Sequence, residues 1–229
     1  MTVDFAFQIT NYILAKNLGQ GNLNPQDFQN LINISQYSFL DYLLGEFQSY
    51  QGGRPVPKVQ FGMNESVRQR LTPFIKPVVS LTADVTGFAA YPTDYQQMDA
   101  MYDSTMNRIR FVPQHKLYSF IYSVIDPINT NPIYIIENNG FRFYPNTNFN
   151  GTASPAALLS YVSTPPNIVY GFVLDGNGRY VYNPGTSVDP EWYDIDMAEI
   201  IARVLRMCGV NLQNQDVEKF AQEIKIQGQ

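Results

Sequence analysis

Cysteine and histidine are nearly absent from this sequence, which holds one of each, Cys208 and His115, in 229 residues. A lone cysteine excludes an internal disulfide, and one Cys with one His cannot supply a four-ligand zinc set. Charge is also scarce. Asp, Glu, Lys and Arg make up 15% of the chain, against roughly 25% in ordinary soluble domains. No basic run occurs, the nearest being Arg68 and Arg70 with Lys76 close by, and the formal net charge is -5. A general nucleic-acid binder gains its affinity by neutralising phosphates with Lys and Arg, so the composition argues against that class. No apolar run approaches membrane-spanning length, and no basic stretch precedes an apolar core in the first residues. Neither a membrane span nor secretion by a signal peptide is expected. Phosphate-binding and dinucleotide-binding glycine motifs, internal repeats and low-complexity tracts are missing as well.

What the chain does have is apolar and amide surface. Hydrophobic residues reach 45%, with 16 Tyr and 15 Phe, enough to bury a proper core. Asn and Gln fill about one position in six. A neutral, amide-rich exterior can hydrogen-bond a neighbour without a large desolvation cost, which suits permanent contacts.

The order of elements predicts an α+β fold: an N-terminal helical hairpin, a central, mainly antiparallel β-sheet with hairpins, and C-terminal helices. Over residues 1-50, Phe5, Ile9, Tyr12, Ile13 and Lys16 repeat with a helical period from Asp4 to Leu18. Asn24 then caps a second helix with Pro25 in its first turn. Residues 51-77 read as an extended arm, since Gln51-Gly-Gly-Arg-Pro-Val-Pro57 continues no helix or ladder, followed by a short helix from Ser66 to Phe74. Residues 78-188 are strand-like. Leu117 to Ile125 is aromatic and β-branched, and Asn139-Gly140 predicts a type I′ hairpin turn between Pro132–Glu137 and Phe141–Tyr144. Asp175-Gly-Asn-Gly178 predicts a second hairpin; as a calcium loop it would place Thr186 where a Glu is needed. Residues 189-229 are helical again. Asp189-Pro190 reads as cap and first turn, with Ile195, Ala198, Ile201, Ala202 and Leu205 on one face and a stop at Gly209; a last helix runs from Gln215 to Ile226. All four regions are expected to form one compact domain.

The candidates for chemistry are few. His115, in a loop before a predicted strand, has no neighbouring nucleophile in sequence, and Cys208 reads as a small buried hydrophobe. Asp94, Asp99 and Asp103 would align loosely on a helix as an acid/base pair or metal site, or else serve as cap and turn residues around Pro92. Tyr118, Phe120, Tyr122, Phe141, Phe143, Tyr180 and Tyr182 fit core packing across a sheet; exposed, they would make a carbohydrate- or ligand-binding platform. Asn33-Ile-Ser, Asn64-Glu-Ser and Asn150-Gly-Thr match the glycosylation pattern, as an Asn-rich chain does by chance.

Leu43-Leu-Gly-Glu46 followed by Gln51 to Pro57, Tyr91-Pro-Thr-Asp-Tyr95, and Ile200 to Phe220 around Cys208-Gly-Val-Asn-Leu212 together resemble virion proteins of crAss-like and related tailed phages of Bacteroidetes. In that family such subunits form rings of the head-to-tail connector, or neck, between portal and tail. The resemblance implies no catalysis and no cofactor or metal. It implies copies of the chain in a cyclic ring, with portal, other neck-ring or tail proteins as partners, and no membrane. Packaged DNA would be met only non-specifically, in a virion assembled in the host cytoplasm. An acidic subunit lining or surrounding the channel would repel passing DNA. Arg54, Pro55, Pro57 and Phe61 of the arm, with Trp192 and Phe220 near the C-terminal helices, are the expected assembly contacts. The alternatives are a binding module using exposed aromatics and a small-molecule enzyme using Asp94, Asp99 and Asp103.

Overall fold

Five helices and nine strands arise from these patterns in a computed structural model that describes residues 1–18, 23–45, 65–104, 106–121, 131–145 and 157–209. The fold is α+β, with helices at both ends of the described chain and a mostly antiparallel β region between them. Instead of one compact domain there are two compact units, Met1–Arg70 with Pro165–Gln229, and Leu71–Thr164.

The first unit is built on helices. α1 (Val3–Leu18) and α2 (Pro25–Gly45) start within one residue of the predicted positions, and α1 ends at Leu18 as predicted. Asn24 Oδ1 accepts from the Asp27 amide at 2.8 Å, satisfying one of the four orphan N–H groups at the start of α2. α5 (Asp194–Met207) begins later than Asp189-Pro190 predicts, capped by no side chain. Asp189 caps a different helix. Its Oδ1 accepts from the Val3 amide at 2.8 Å, so it serves the start of α1 across 186 residues of sequence. The buried face of α5 is Asp196, Met197, Ile200, Ile201, Val204 and Leu205. Ile195 is 83% exposed and Ala198 is exposed, so the buried stripe is rotated from the predicted one. Gly209, at φ +78°, ends this helix as predicted.

α1 is rotated too. Val3, Ala6, Thr10 and Leu14 are buried, while Phe5 and Tyr12 point outward. Both stripes have helical spacing, so periodicity alone does not say which one faces the core. Phe7 lies between them, packing on Phe28 and Tyr170 with ring centroids 5.1 and 4.5 Å away.

A buried amide relay on α2 fixes the return of the chain into this unit. The Asn33 side chain donates to Ile168 O and accepts from Ile168 N, both at 2.9 Å. Gln36, 1% exposed, donates to Asn33 Oδ1 and Pro166 O and accepts from the Trp192 indole. Asn33 is thereby committed to structure. The short helix α3 (Glu65–Arg70) delivers Arg70 to the buried carboxylate of Asp196, Nε to Oδ1 2.7 Å, with its guanidinium 5.2 Å above the Phe39 ring. The hairpin of β8 (Phe172–Leu174) and β9 (Tyr180–Tyr182) also belongs to this unit, pairing Phe172 with Tyr182 and Leu174 with Tyr180.

The second unit holds two sheets. One orders β1 (Ile75–Leu81), β7 (Ala157–Ser163) and β3 (Tyr95–Tyr102), all antiparallel. The other orders β2 (Phe88–Ala90), β6 (Gly140–Tyr144), β5 (Ile133–Glu137) and β4 (Arg110–Phe111), antiparallel except for β4 on β5. Leu81, Met101, Ile109, Phe141, Phe143 and Leu159 are among the side chains buried in its core.

Three expectations fail here, each for a physical reason. Residues 94–103 are strand and turn, not helix. Register shifts at Tyr95/Gln97 and Met98/Ala100 let Tyr95, Met98 and Met101 reach the core at a spacing of three, which imitates a helical period. The segment from Leu117 begins as the short helix α4 (Leu117–Ile121), preceded by a 3-10 turn holding His115. Leu117, Phe120 and Ile121 also have helical spacing, and packing on Val112, Ile133 and Ile135 overrides their strand propensity. In the β5–β6 turn only Asn139, at φ +62°, is left-handed, so it is no type I′ turn. Gly140 is required for space: a Cβ there would lie 2.4 Å from Ala89 O and 2.5 Å from the Phe88 ring.

One turn geometry recurs three times. Asp84, Asp103 and Asp175 each donate their backbone amide to the carbonyl of the residue four positions on, and each carboxylate accepts that residue's amide. The residue three positions after each Asp is left-handed: Gly87 at φ +80°, Met106 at +65° and Gly178 at +75°. The Asp175 turn is therefore the predicted hairpin turn, and its carboxylate is occupied by the amides of Asn177 and Arg179.

Candidate assembly surfaces

Of the expected assembly contacts, Arg54, Pro55, Pro57, Phe61 and Phe220 lie outside the described residues. Trp192 does not present its ring to a neighbour. It is 3% exposed, its indole N–H donates to Gln36 at 3.2 Å, and its ring packs 5.2 Å from Phe39.

The three aspartates are not brought together. Asp94 and Asp99 are five residues apart at and along a strand, roughly 16 Å at the usual rise, and each has its own structural bond. Tyr161 donates its hydroxyl to Asp94 at 2.7 Å, Ser160 donates to Asp99 at 3.1 Å, and Asp103 accepts the Asn107 amide at 2.8 Å. Burial together with the Asp94 carboxylate pushes the Tyr161 hydroxyl up to about 12. Among the described residues no group of three or more His, Cys, Asp or Glu side chains is placed to hold a metal ion. His115 is exposed, and burial raises the Cys208 thiol above its ordinary value, which makes it a poorer nucleophile. Phe141 and Phe143 are fully buried core residues; Tyr118 is 70% exposed on α4. No described helix is long and apolar enough to cross a membrane.

Three surfaces stand out instead. The first is the β8–β9 hairpin. Val173, Leu174, Tyr180 and Val181 are 46–61% exposed, so both faces of a two-stranded ribbon carry apolar side chains to solvent. Such a ribbon has little stability unless something covers it. The second is the outer stripe of α1, with Phe5 51% and Tyr12 67% exposed.

The third is a cleft of about 500 Å³ in the second unit. It opens where the chain, after pairing Tyr102 with Arg108 and Ile109 with Met101, leaves β3 to join β5 in the other sheet as β4. The buried Met101, Ile109 and Tyr134 form its inner lining, and burial pushes the Tyr134 hydroxyl up to about 12. Arg108, Arg110 and Phe111 are exposed at its mouth. Among the described residues neither arginine is in an ion pair, although Asp99 lines the same cleft; Arg110 lies 4.5 Å above the Phe120 ring. The signal for this pair was present in the sequence as Arg108-Ile-Arg110, an alternation that places two charges on one side of an extended strand. Two charges are too few to register as a basic run in the sequence.

No protein-family model matches this chain, and no curated protein matches it.

Proposed function

We propose that this chain is a non-enzymatic structural subunit of a phage virion, a ring protein of the head-to-tail connector that repeats around the channel between portal and tail. The observation that carries the reading is the β8–β9 hairpin, whose two apolar faces expose Val173, Leu174, Tyr180 and Val181. Contiguous apolar surface of this kind marks protein contact, and a low-charge, amide-rich exterior keeps the desolvation cost of permanent association small. The three acidic side chains that an enzyme reading would need are each engaged in local structure. Sedimentation and mass measurement of the purified chain, alone and with the portal protein, test this. A discrete multi-copy ring, or a stable complex with portal, is the expected result. A monomer at every concentration that also ignores portal and tail proteins overturns it.

A further inference from the structure

The cleft at the β3–β4 divergence has two chemical demands. Arg108 and Arg110 at its mouth bring two positive charges against the one carboxylate of the lining, Asp99, which already accepts from Ser160, and Met98, Met101, Ile109 and Phe111 supply apolar wall beside them. A matching occupant is an acidic segment flanked by apolar side chains. The chain presents one itself. Glu191, Tyr193, Asp194 and Ile195 are all exposed at the entry to α5, with Ile195 at 83% and Tyr193 at 49%, while Trp192 between them is turned into the core. Glu191 has no hydrogen-bond or ionic partner among the described residues. Asp194, although its carboxylate meets the Met1 amine, keeps 76% of its side chain exposed. Two cations at a partly apolar cleft that holds a single acid, and two acids flanked by an aromatic and an aliphatic side chain, are complementary in net charge and in polarity.

We infer that the Glu191–Ile195 corner of one copy docks in the Arg108/Arg110 cleft of a second copy. This rests on the ring-subunit reading and deepens it. The two patches are different surfaces, so the contact is heterologous, the head-to-tail kind that builds a ring when the rotation per copy closes. Tyr193 and Ile195 bury their apolar groups against the cleft lining, and the acids pair with the arginines at its rim.

Charge reversal on each side, followed by mixing, tests the contact. R108E/R110E leaves acids facing acids, and E191K/D194K leaves cations facing cations. Each variant alone is expected to lose self-association by at least about a hundredfold, since like charges across an interface cost several kcal/mol. Mixed in equal amounts they restore assembly, because every contact in an alternating ring again joins opposite signs. Circular dichroism matching the wild type confirms that these exposed substitutions leave the fold intact. If the wild-type chain assembles and either variant assembles equally well, or the mixture stays dissociated, the docking is wrong while the ring reading stands. If the wild-type chain is monomeric throughout and ignores portal, both fall.

Discussion

Val78 and Met106 sit at φ +53° and +65°, where an L side chain crowds its own backbone. Val78 is β-branched, which makes the conformation costlier still, and it lies on the edge strand β1 at the register shift between Lys76 and Val79. Asn tolerates this conformation without the chain entropy that Gly adds to the unfolded state. Val78→Asn is therefore expected to raise stability by about 1 kcal/mol in chemical denaturation. Gly140 shows the opposite constraint. Its φ is ordinary, but the missing Cβ makes room for Ala89 O and the Phe88 ring, so Gly140→Ala should cost about 2 kcal/mol and loosen β2 from β6. An unchanged midpoint for that variant would show that the β2 edge yields freely. Asp84 brings a pH dependence. Hydrogen bonds from the Thr86 hydroxyl and then the Phe88 amide hold its carboxyl below the ordinary range. Because the folded state binds this proton less tightly, the stabilisation is present above the unfolded value, near pH 4, and is lost as pH falls through the folded value. Asp84→Asn should flatten that acid limb of the stability profile.

At the scale of elements, two polar devices bind distant pieces of the first unit. Asp189 caps α1, and Asp189→Ala should lower stability by about 1 kcal/mol, with the amides of the first turn of α1 losing hydrogen-exchange protection first. The Gln36 relay is the more demanding case, because replacing a buried hub leaves its partners without bonds. Gln36→Leu orphans the Trp192 indole in a closed interior, at a cost of about 1–3 kcal/mol by the usual penalty for an unsatisfied buried group. Trp192 fluorescence would follow that unfolding directly. In the second unit, burial holds the Tyr95, Tyr134 and Tyr161 hydroxyls up to about 12. Their folded values lie above the unfolded one, so their contribution is complete below pH 10 and is lost as pH rises from about 10 to 12. Alkaline unfolding of this unit should coincide with tyrosinate absorbance.

For the whole molecule, the behaviour expected from the proposed ring reading is association through apolar ribbons and a charged cleft. The charge-reversal pair sets the scale of that expectation, and raising ionic strength should weaken the wild-type contact in the same direction. α5 cannot be removed to test assembly. Met197, Ile200 and Val204 are fully buried, so deleting residues 189–229 would unfold the first unit before it revealed anything about contacts. Mutations confined to Val173, Leu174, Tyr180 and Val181 avoid that difficulty, because their side chains already face solvent.

Local rules were enough for the features that depend on neighbouring residues. The α+β order, the cap at Asn24, the stop at Gly209 and the Asp175 hairpin could all be read from sequence, since a cap or turn is decided within four or five positions. Pairing decided the rest. Periodicity identified α1 as a helix but chose the outward stripe, because both stripes repeat correctly and only the partner selects one. Bulges made β3 look helical, packing turned Leu117–Ile121 into a helix, and Asp189 went to a helix start 186 residues away. The same holds for the surfaces. Sequence could show that the chain is poor in charge and rich in aromatics. Only the tertiary structure shows which of them are exposed, because the Arg108/Arg110 cleft exists solely where one strand leaves its sheet for another.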